Sequence, residues 1–281
     1  MNFGNRSPLA MDVLTSLSVP INGVLTPFKQ VIHSIQRFCK PLLFHTGHDI
    51  FDIAFSGSSF LMKVGAENTL VCTQHQFKTP NGPPFSADMV VTPVSVDGVM
   101  FGATPISARF PQLSDTRDRT WDDIIAIKFE AGTEDPNIDN LFLELDWQRL
   151  RTLTGMDLSK IVSIFAIGFP TSSTDYDPIY DGDDAPVGVS VKSRWVVVFL
   201  APIGRAFFDF ETRIQLVQHP HYKLQLKNPD GMSGSPVFFI YFDNFRKLQL
   251  GFAGMITDIR NGVYQVYDGN NVRNFLYGRR L

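Results

Sequence analysis

The chain has 281 residues, of which 44% are hydrophobic and 19% are charged, and its formal net charge is −3. This length and composition are typical of a folded protein of one or two domains. A slightly acidic chain gives no electrostatic reason to bind nucleic acid, and no apolar run is long enough to cross a membrane as a helix. We therefore expect neither nucleic acid nor a membrane among the partners of this protein.

The cysteine content favours a reducing compartment. Cys39 and Cys72 are the two cysteines, which is too few for a disulfide framework, and they lack the spacing of metal ligands. The first residues lack the basic and then continuously apolar pattern of a secretion signal. Since a chain of this size without disulfides fits the cytoplasm, we expect that location.

The first 50 residues differ in pattern from the rest and predict a partly helical N-terminal extension. Segment 28–44 has apolar residues at mixed spacings of three and four, which is typical of a short amphipathic helix, and we expect Pro41 to close it. The apolar positions of this segment are Val31, Ile32, Ile35, Phe38 and Leu42.

From residue 51 onward the pattern is that of β-strands. Short runs rich in Val, Ile, Phe and Thr recur between Gly, Pro, Asn and Asp residues. Segment 134–158 interrupts this pattern with acidic and then weakly helical sequence, and it predicts a connection between two β units. Before this connection we predict strands at 55–64, 68–75, 88–96, 98–103 and 123–129. After it we predict strands at 160–170, 187–202, 206–217, 235–242, 248–257 and 262–267.

Two groups of short strands across a linker predict an all-β protein with two barrels. We assign residues 1–50 to the N-terminal extension, 51–145 to the first barrel and 146–281 to the second barrel. Residues 270–281 begin with a capping-type Asn and predict a C-terminal helix. The 25 Phe are spread along the apolar runs, which indicates core packing.

The stretch 231–238 carries the most chemical information. It places Ser233 between Gly231 and Gly234, and Pro236 and an apolar strand follow. Glycines allow a tight turn that points backbone amides at one spot. The Ser233 hydroxyl would then lie beside the amides of Gly231 and Ser233, which would form an oxyanion hole. A plain Gly, Ser and Pro turn is the alternative interpretation.

A serine hydroxyl needs a base to become a good nucleophile. His75 is the best placed of the six His, because it lies where the apolar strand 69–73 ends. A surface position at a strand end is the alternative. His219 and His221 flank Pro220 in a loop without the Cys or carboxylate partners of a metal site, so we expect no metal.

A third group must orient the imidazole and stabilise its positive form. Asp123 directly precedes the apolar run 124–129, which puts its carboxylate at the rim of a predicted sheet. We prefer Asp123 to its neighbour Asp122 because Asp123 directly abuts the strand. In isolation, Asp123 could equally be a turn residue.

Taken together, three segments resemble the trypsin-like serine peptidases of the chymotrypsin fold. Residues 71–75 resemble the strand-then-His segment of that family, 123–128 its Asp-then-strand segment, and 231–236 its Gly-x-Ser-Gly-x-Pro segment. The order His, Asp, Ser is also that of the family. Weaker similarities extend the likeness over about 51–281, at 55–61, 166–170, 252–257 and 262–266.

This resemblance implies two six-stranded antiparallel Greek-key barrels packed together, and a serine endopeptidase that needs no cofactor. Ser233 would attack the scissile carbonyl, His75 would take its proton, and Asp123 would orient His75. The amides of Gly231 and Ser233 would hold the oxyanion. The substrate would be a protein or peptide. A peptidase in the cytoplasm needs restraint, so we expect a regulated processing protease of stress or defence, with a regulatory partner.

Met232 departs from the pattern of the secreted digestive members, which carry Asp directly before the serine and mature by N-terminal cleavage. No cleavage site of that type is visible, so the likeness is closer to cysteine-poor bacterial and HtrA-like peptidases. Few residues follow the predicted C-terminal helix, and we expect no appended PDZ domain.

The family resemblance also implies a substrate pocket. Counting back from Ser233, Lys227 falls near the pocket floor, and Thr257, Asp258 and Ile259 form one wall. A cationic floor would favour an acidic or polar side chain before the cut. One insertion in the preceding loop would move Lys227 outside the pocket.

Two other functions fit the same sequence. The first is a catalytically silent protein of the same fold that binds a peptide or partner without cutting it. The second is an unrelated all-β binding module in which the Gly-Ser turn is incidental, since fold does not by itself imply function.

Overall fold

Two large β-sheets dominate this all-β protein, together with two small hairpins and two short α-helices. The computed structural model of the chain describes residues 17–77, 86–96, 99–103, 105–110, 123–129, 141–146, 150–203, 208–210, 213–222 and 225–278. The all-β class predicted from the strand pattern is confirmed.

The N-terminal segment forms a hairpin, one short helix and then a strand. Strands β1 (Ser18–Ile21) and β2 (Val24–Pro27) pair antiparallel, and helix α1 (Val31–Gln36) follows them. The predicted helix was expected to end at Pro41, but α1 ends at Gln36 and Pro41 lies within strand β3 (Cys39–His45). Pairing in a sheet overrides the weak helical preference of so short a segment.

The first large sheet is an open, curled half-barrel in the described part of the chain. Its strand order is β7-β6-β3-β4-β5-β9-β8, with β10 added parallel to β4. Because β3 pairs with both β4 and β6, this sheet begins within the segment 1–50. Its further strands are β4 (Ile53–Val64), β5 (Glu67–Thr73), β6 (Val90–Val96), β7 (Val99–Ala103), β8 (Pro105–Arg109), β9 (Ile124–Phe129) and β10 (Leu143–Glu144).

The second large sheet closes into a barrel of six antiparallel strands. Their order is β14-β11-β17-β18-β19-β16, and pairing of β14 with β16 completes the ring, with β15 attached to β16. Its strands are β11 (Ile161–Gly168), β14 (Val196–Pro202), β15 (Phe208–Phe210), β16 (Arg213–Gln218), β17 (Pro236–Phe242), β18 (Leu248–Arg260) and β19 (Val263–Asp268).

A two-stranded hairpin is inserted between β11 and β14 of the barrel. Its strands β12 (Thr174–Tyr180) and β13 (Pro186–Ser193) pair antiparallel and are largely exposed. The hydroxyl of Tyr176 accepts a hydrogen bond from the backbone N–H of Phe55 at 3.0 Å, which links this hairpin to β4.

The chain returns to the first sheet through its last helix, α2 (Gly269–Leu276). The N-cap lies two residues earlier than predicted: Asp268 rather than Asn270 caps the helix and accepts a hydrogen bond from the Asn270 N–H at 2.8 Å. The side chains of Val272 and Phe275 are buried. The Arg109 guanidinium donates to the carbonyl of Leu276 at 2.7 Å, which joins β8 to this helix.

Both faces of the central strands are buried, which explains their continuous apolar runs. In β17, Phe238 and Ile240 pack between the two sheets, whereas Val237 and Phe239 fill the closed barrel. The alternation follows from the two-residue repeat of a strand. The between-sheet core also takes side chains from β1 and α1, so the N-terminal segment packs on the large sheets.

The two α-helices are short, and none of the helices in the described part of the chain is long and apolar enough to cross a membrane.

Candidate active site

His75 and Asp123 come together because their strands are neighbours. His75 lies in a 3-10 turn that follows β5, and Asp123 directly precedes β9. The two strands pair antiparallel with Thr73 opposite Ile124, so the end of one meets the start of the other. Asp122, the rival carboxylate, lies outside the described residues.

The Asp123 carboxylate holds His75 at two points. Oδ1 accepts a hydrogen bond from the His75 backbone N–H at 2.9 Å, and Oδ2 lies 2.7 Å from Nδ1 of the imidazole. A carboxylate accepts, so Nδ1 carries the proton and Nε2 keeps a free lone pair. The His75 side chain is 42% exposed and that of Asp123 is 21% exposed. The arrangement therefore presents an oriented base to solvent and to any bound molecule.

The loop that carries Ser233 turns through two glycines in the left-handed region. Gly231 has φ +88° and Gly234 has φ +86°, values that residues with a side chain rarely adopt. A Cβ atom on Gly234 would lie 1.9 Å from the carbonyl oxygen of Ser58, and one on Gly231 would lie 2.7 Å from the N of Thr171. Both positions therefore require glycine for backbone shape and for space.

Within the turn 230–235, the amides of Gly231 and Ser233 donate no hydrogen bond to any described residue. The amides between and after them are bonded: Met232 donates to Pro229 at 3.0 Å, and Gly234 donates to Ile256 at 2.8 Å. Two unbonded donors on either side of one residue can bind the oxygen of a negatively charged intermediate. The sequence predicted these same two amides.

The first sheet holds the Ser233 loop directly. The carbonyl of Ser233 accepts hydrogen bonds from the Ser58 N–H at 3.1 Å and from Nε2 of Gln76 at 3.0 Å. The Ser58 hydroxyl donates to the Gly231 carbonyl and accepts from the Phe169 N–H, both at 2.8 Å. Since Gln76 follows His75, the turn with the imidazole and the loop with the hydroxyl are joined by one side chain.

Sequence reasoning singled out neither Ser58 nor Gln76 as a site residue. The likeness of segment 55–61 to a Gly-Ser-rich family strand was one available signal for Ser58. The only signal for Gln76 was its position beside His75, because its hydrogen bonds to Ser58 and Ser233 reach segments 18 and 157 residues away in sequence.

The Ser233 hydroxyl donates a hydrogen bond to the carbonyl of Thr257 at 3.4 Å. In the described part of the chain no hydrogen bond joins it to His75. Catalytic hydrogen bonds often tighten only when substrate binds, so this arrangement is compatible with a resting site. Rotation about the Cα–Cβ bond of Ser233 would break the hydrogen bond to Thr257 and point the hydroxyl in another direction.

Met232 and Cys72 lie next to the site without reactive roles. Met232 is fully buried in the closed barrel, and its apolar side chain carries no charge that could form an ion pair. Cys72 is also fully buried; burial, and then the negative charge of Asp123, raises the pKa of its thiol well above the ordinary value. A thiol that stays protonated is a poor nucleophile.

The predicted pocket residues occupy different environments. Thr257 is buried, Asp258 and Ile259 are half-buried, and Lys227 is exposed. Asp258 forms an ion pair with Arg260, with Nε to Oδ2 at 2.5 Å.

His219 and His221 lie in a largely exposed loop after β16, in which His219 is half-buried and His221 is exposed. Their ring centroids are 5.5 Å apart, and the neighbouring Tyr222 stacks on Phe199 at 3.8 Å. Over the described ranges, no group of three or more His, Cys, Asp or Glu side chains could hold a metal ion. In the described part of the chain, no hydrogen bond joins either of these histidines to His75 or Ser233.

A closed six-stranded barrel beside a curled half-barrel is compatible with a chymotrypsin-like fold. Neither a scan of known protein families nor a search of curated proteins found a match to this chain.

Proposed function

We propose that this chain is a serine endopeptidase of the trypsin-like type, with Ser233 as nucleophile, His75 as base and Asp123 as its orienting carboxylate. The observation that carries the proposal is the pair of hydrogen bonds that His75 donates to the Asp123 carboxylate. The next residue, Gln76, donates to the Ser233 carbonyl. The unbonded amides of Gly231 and Ser233 support it as a ready oxyanion site.

In the first half of the proposed reaction, Ser233 Oγ attacks the carbonyl carbon of the scissile peptide bond while His75 Nε2 takes its proton. The amides of Gly231 and Ser233 stabilise the oxyanion of the tetrahedral intermediate. The imidazolium then protonates the leaving amine, the C–N bond breaks, and an acyl-enzyme ester on Ser233 remains. Asp123 stays ionised and stabilises the imidazolium.

In the second half, water replaces the amine. His75 takes a proton from water, the hydroxide attacks the ester carbonyl, and the oxyanion is again held by the two amides. The imidazolium returns its proton to Ser233 Oγ as the ester bond breaks, which releases the acid product and restores the enzyme.

We also propose that the curled sheet belongs to a second Greek-key barrel, with His75 and Asp123 on one barrel and Ser233 on the other. The position of His75 and Asp123 on the first sheet and Ser233 at the barrel supports this arrangement.

The end of β18 supports a polypeptide as substrate. The pairing of β17 with β18 stops at Met255, so residues 257–260 pair only with β19 in the described chain. The two-residue turn Asn261–Gly262 makes Arg260 and Val263 the hydrogen-bonded pair, so Ile259 directs its N–H and C=O to the open edge. An extended peptide can add to such an edge as a strand.

The open edge is capped in this structure. Asp258 Oδ1 accepts a hydrogen bond from the Ile259 N–H at 2.8 Å, and the ion pair with Arg260 holds the same carboxylate. A substrate strand would have to displace this carboxylate. This supports a peptidase with a resting state, as expected of a regulated processing enzyme whose activator would be a partner or the substrate itself.

The primary specificity remains part of the proposal. A Lys227 ammonium near the bound residue before the cut would favour an acidic or polar side chain there. Cleavage profiling with a peptide library tests this directly, and a strong preference for Lys or Arg would contradict it.

The same library tests the proposed function. Wild type is expected to cleave peptides, Ser233→Ala and His75→Ala are expected to lose cleavage, and His219→Ala, in an exposed loop, is expected to retain it. Cleavage that persists at the wild-type rate in Ser233→Ala would overturn the proposal.

One observation favours the second candidate, a silent protein that binds peptides without cutting them. The Ser233 hydroxyl donates to Thr257 and not to His75 in the described chain. Peptides that bind wild type and Ser233→Ala equally and are never cleaved would support this alternative.

A further inference from the structure

Gln76 is a buried amide with partners on three separate segments. Only 7% of its surface is exposed. Its Oε1 accepts a hydrogen bond from the Thr73 N–H at 2.9 Å. Its Nε2 donates to the carbonyls of Ser58 at 3.2 Å and Ser233 at 3.0 Å, with a longer contact to the carbonyl of Ser56 at 3.4 Å. The surrounding backbone groups therefore require both a hydrogen-bond donor and a hydrogen-bond acceptor from the side chain at position 76.

The chemistry of these partners specifies an amide. One N–H group faces the oxygen of Gln76, and three carbonyl groups surround its nitrogen. A carboxylate would put negative charge against the carbonyl oxygens, and an apolar side chain would remove these hydrogen bonds at a cost typical of buried polar groups. The main chain of Gln76 is held as well, because the Ser56 hydroxyl donates to its carbonyl.

Two glycines make room for this amide. A Cβ atom on Gly57 would lie 2.3 Å from Gln76 Nε2, and one on Gly234 would lie 3.1 Å from Gln76 Oε1. Both glycines have positive φ, at +140° and +86°. The strand β4 and the Ser233 loop are thus both shaped around one side chain.

We propose that Gln76 is a positioning residue that sets the distance between the imidazole of His75 and the hydroxyl of Ser233. This role of Gln76 rests on the proposed function. Gln76 is the residue after the base, and it binds the carbonyl of the nucleophile itself. The two reacting groups come from different sheets, and a displacement of about 1 Å can reduce a rate roughly 100-fold.

The test uses a peptidyl phosphonate that reacts with the serine, with the full chain and the variants Gln76→Met and Ser59→Ala. Methionine is close in size to glutamine and makes none of the four hydrogen bonds. Ser59 is the control because it is fully buried in the same strand as Ser58, yet its hydroxyl donates to the Lys40 carbonyl, on another strand. The inactivation kinetics give KI, kinact and the fraction of protein that reacts.

Gln76→Met is expected to lower kinact by about 10- to 100-fold while KI changes less than about 3-fold. Ser59→Ala is expected to keep the wild-type kinact. A loss of stability alone would reduce the reacting fraction and leave the kinact of the folded fraction unchanged.

Wild-type kinact in Gln76→Met, with or without a smaller reacting fraction, would overturn the role of Gln76 and leave the proposed function standing. Failure of wild type to react at Ser233 would overturn the proposed function and this role together. Hydrogen exchange gives a readout independent of activity: Gln76→Met is expected to speed exchange of the Gly234 amide, and unchanged exchange there would also contradict the proposal.

Discussion

Asp123 is bonded to both the backbone and the ring of His75, so it fixes the position of the turn and the tautomer of the imidazole together. An exposed histidine at a strand end would otherwise sample several orientations. At the residue scale, the site is therefore defined by short hydrogen bonds from a few buried or half-buried groups rather than by burial of the reacting side chains.

Replacement of Asp123 by Asn is expected to reduce kcat about 10,000-fold, with little change in KM, because the amide favours the wrong imidazole tautomer. Peptide hydrolysis at saturating substrate measures this loss. The exposed Asp157, which caps the turn before β11, provides a control as Asp157→Asn. A decrease of less than 10-fold in Asp123→Asn would show that this carboxylate does not orient the base.

Gly234 and Gly65 form a matched pair for testing how tightly the Ser233 loop is packed. Both have positive φ, but a Cβ atom has open space at Gly65 and lies 1.9 Å from the Ser58 carbonyl at Gly234. Gly65→Ala is expected to lower the free energy of unfolding by about 1–2 kcal/mol. Gly234→Ala adds steric overlap and is expected to cost about 2–5 kcal/mol. Urea unfolding measures both; equal losses would contradict the packing described.

The sequence was sufficient to nominate Ser233, His75 and Asp123, because each lies at the edge of an apolar strand or in a Gly-rich turn. Their catalytic roles stay predictions. Gln76 and Ser58 could not be found this way, since a polar residue that bonds distant backbone atoms leaves no periodic pattern. The family resemblance assigned Asp258 to the pocket wall. Its hydrogen bond from the Ile259 N–H could not be predicted, because that bond forms only where the strand edge is open.

Elements were predictable where packing agreed with the local pattern. Most predicted strands from 55 onward correspond to strands of the two large sheets, because burial on both faces gives continuous apolar runs. The predicted strand 187–202 instead divides into β13 of the exposed hairpin and β14 of the closed barrel. The predicted N-terminal helix ends at Gln36, before the expected end at Pro41, because the apolar residues that follow are also compatible with strand β3. Spacing alone does not decide between the two in a segment this short.

Helix α2 depends on a buried cap that should make its stability pH-dependent. Burial raises the pKa of Asp268 above the ordinary value of 3.8, although hydrogen bonds from Thr154 and from the backbone and side chain of Asn270 oppose this. The folded state therefore holds this proton more tightly than the unfolded state. The stability contributed by this group is complete below the unfolded pKa and is lost as the pH rises through the folded pKa.

Asp268→Asn keeps a good capping residue and cannot ionise, so its stability relative to wild type is expected to increase as the pH is raised from roughly 4 to 7. Asp268→Ala is expected to be less stable than Asp268→Asn by about 1 kcal/mol throughout, because it has no cap. Urea midpoints at several pH values measure both differences. A difference between wild type and Asp268→Asn that does not vary with pH would contradict the raised pKa.

The whole molecule is held together by a core between its two sheets. Phe60 of the half-barrel and Phe252 of the closed barrel lie in this core with ring centroids 5.8 Å apart, and Phe238 lies 5.5 Å from Phe252. Since the His75 turn and the Ser233 loop belong to different sheets, the geometry of the site depends on this contact. Two groups of strands were predictable from the strand pattern. The closure of one sheet into a six-stranded barrel and the packing between the sheets depend on long-range pairing, and the family resemblance was the basis for expecting them.

Phe252→Ala is expected to lower the free energy of unfolding by about 3–5 kcal/mol, since it removes a fully buried ring from the centre of the core. Wild type is expected to unfold in one transition, with circular dichroism and hydrogen exchange in both sheets changing together. Phe245→Ala, whose ring is 84% exposed, should change stability little. Separate transitions for the two sheets would show that the contact between them is weak.

The central claim is that Ser233 is a nucleophile activated by His75, and its most direct measurement is the mapping of a fluorophosphonate adduct by mass spectrometry. We predict one adduct on the peptide that contains Ser233 in wild type, none at that position in Ser233→Ala, and a rate at least about 100-fold lower in His75→Ala. No adduct in wild type, an adduct on another residue, or equal rates in wild type and His75→Ala would contradict the account.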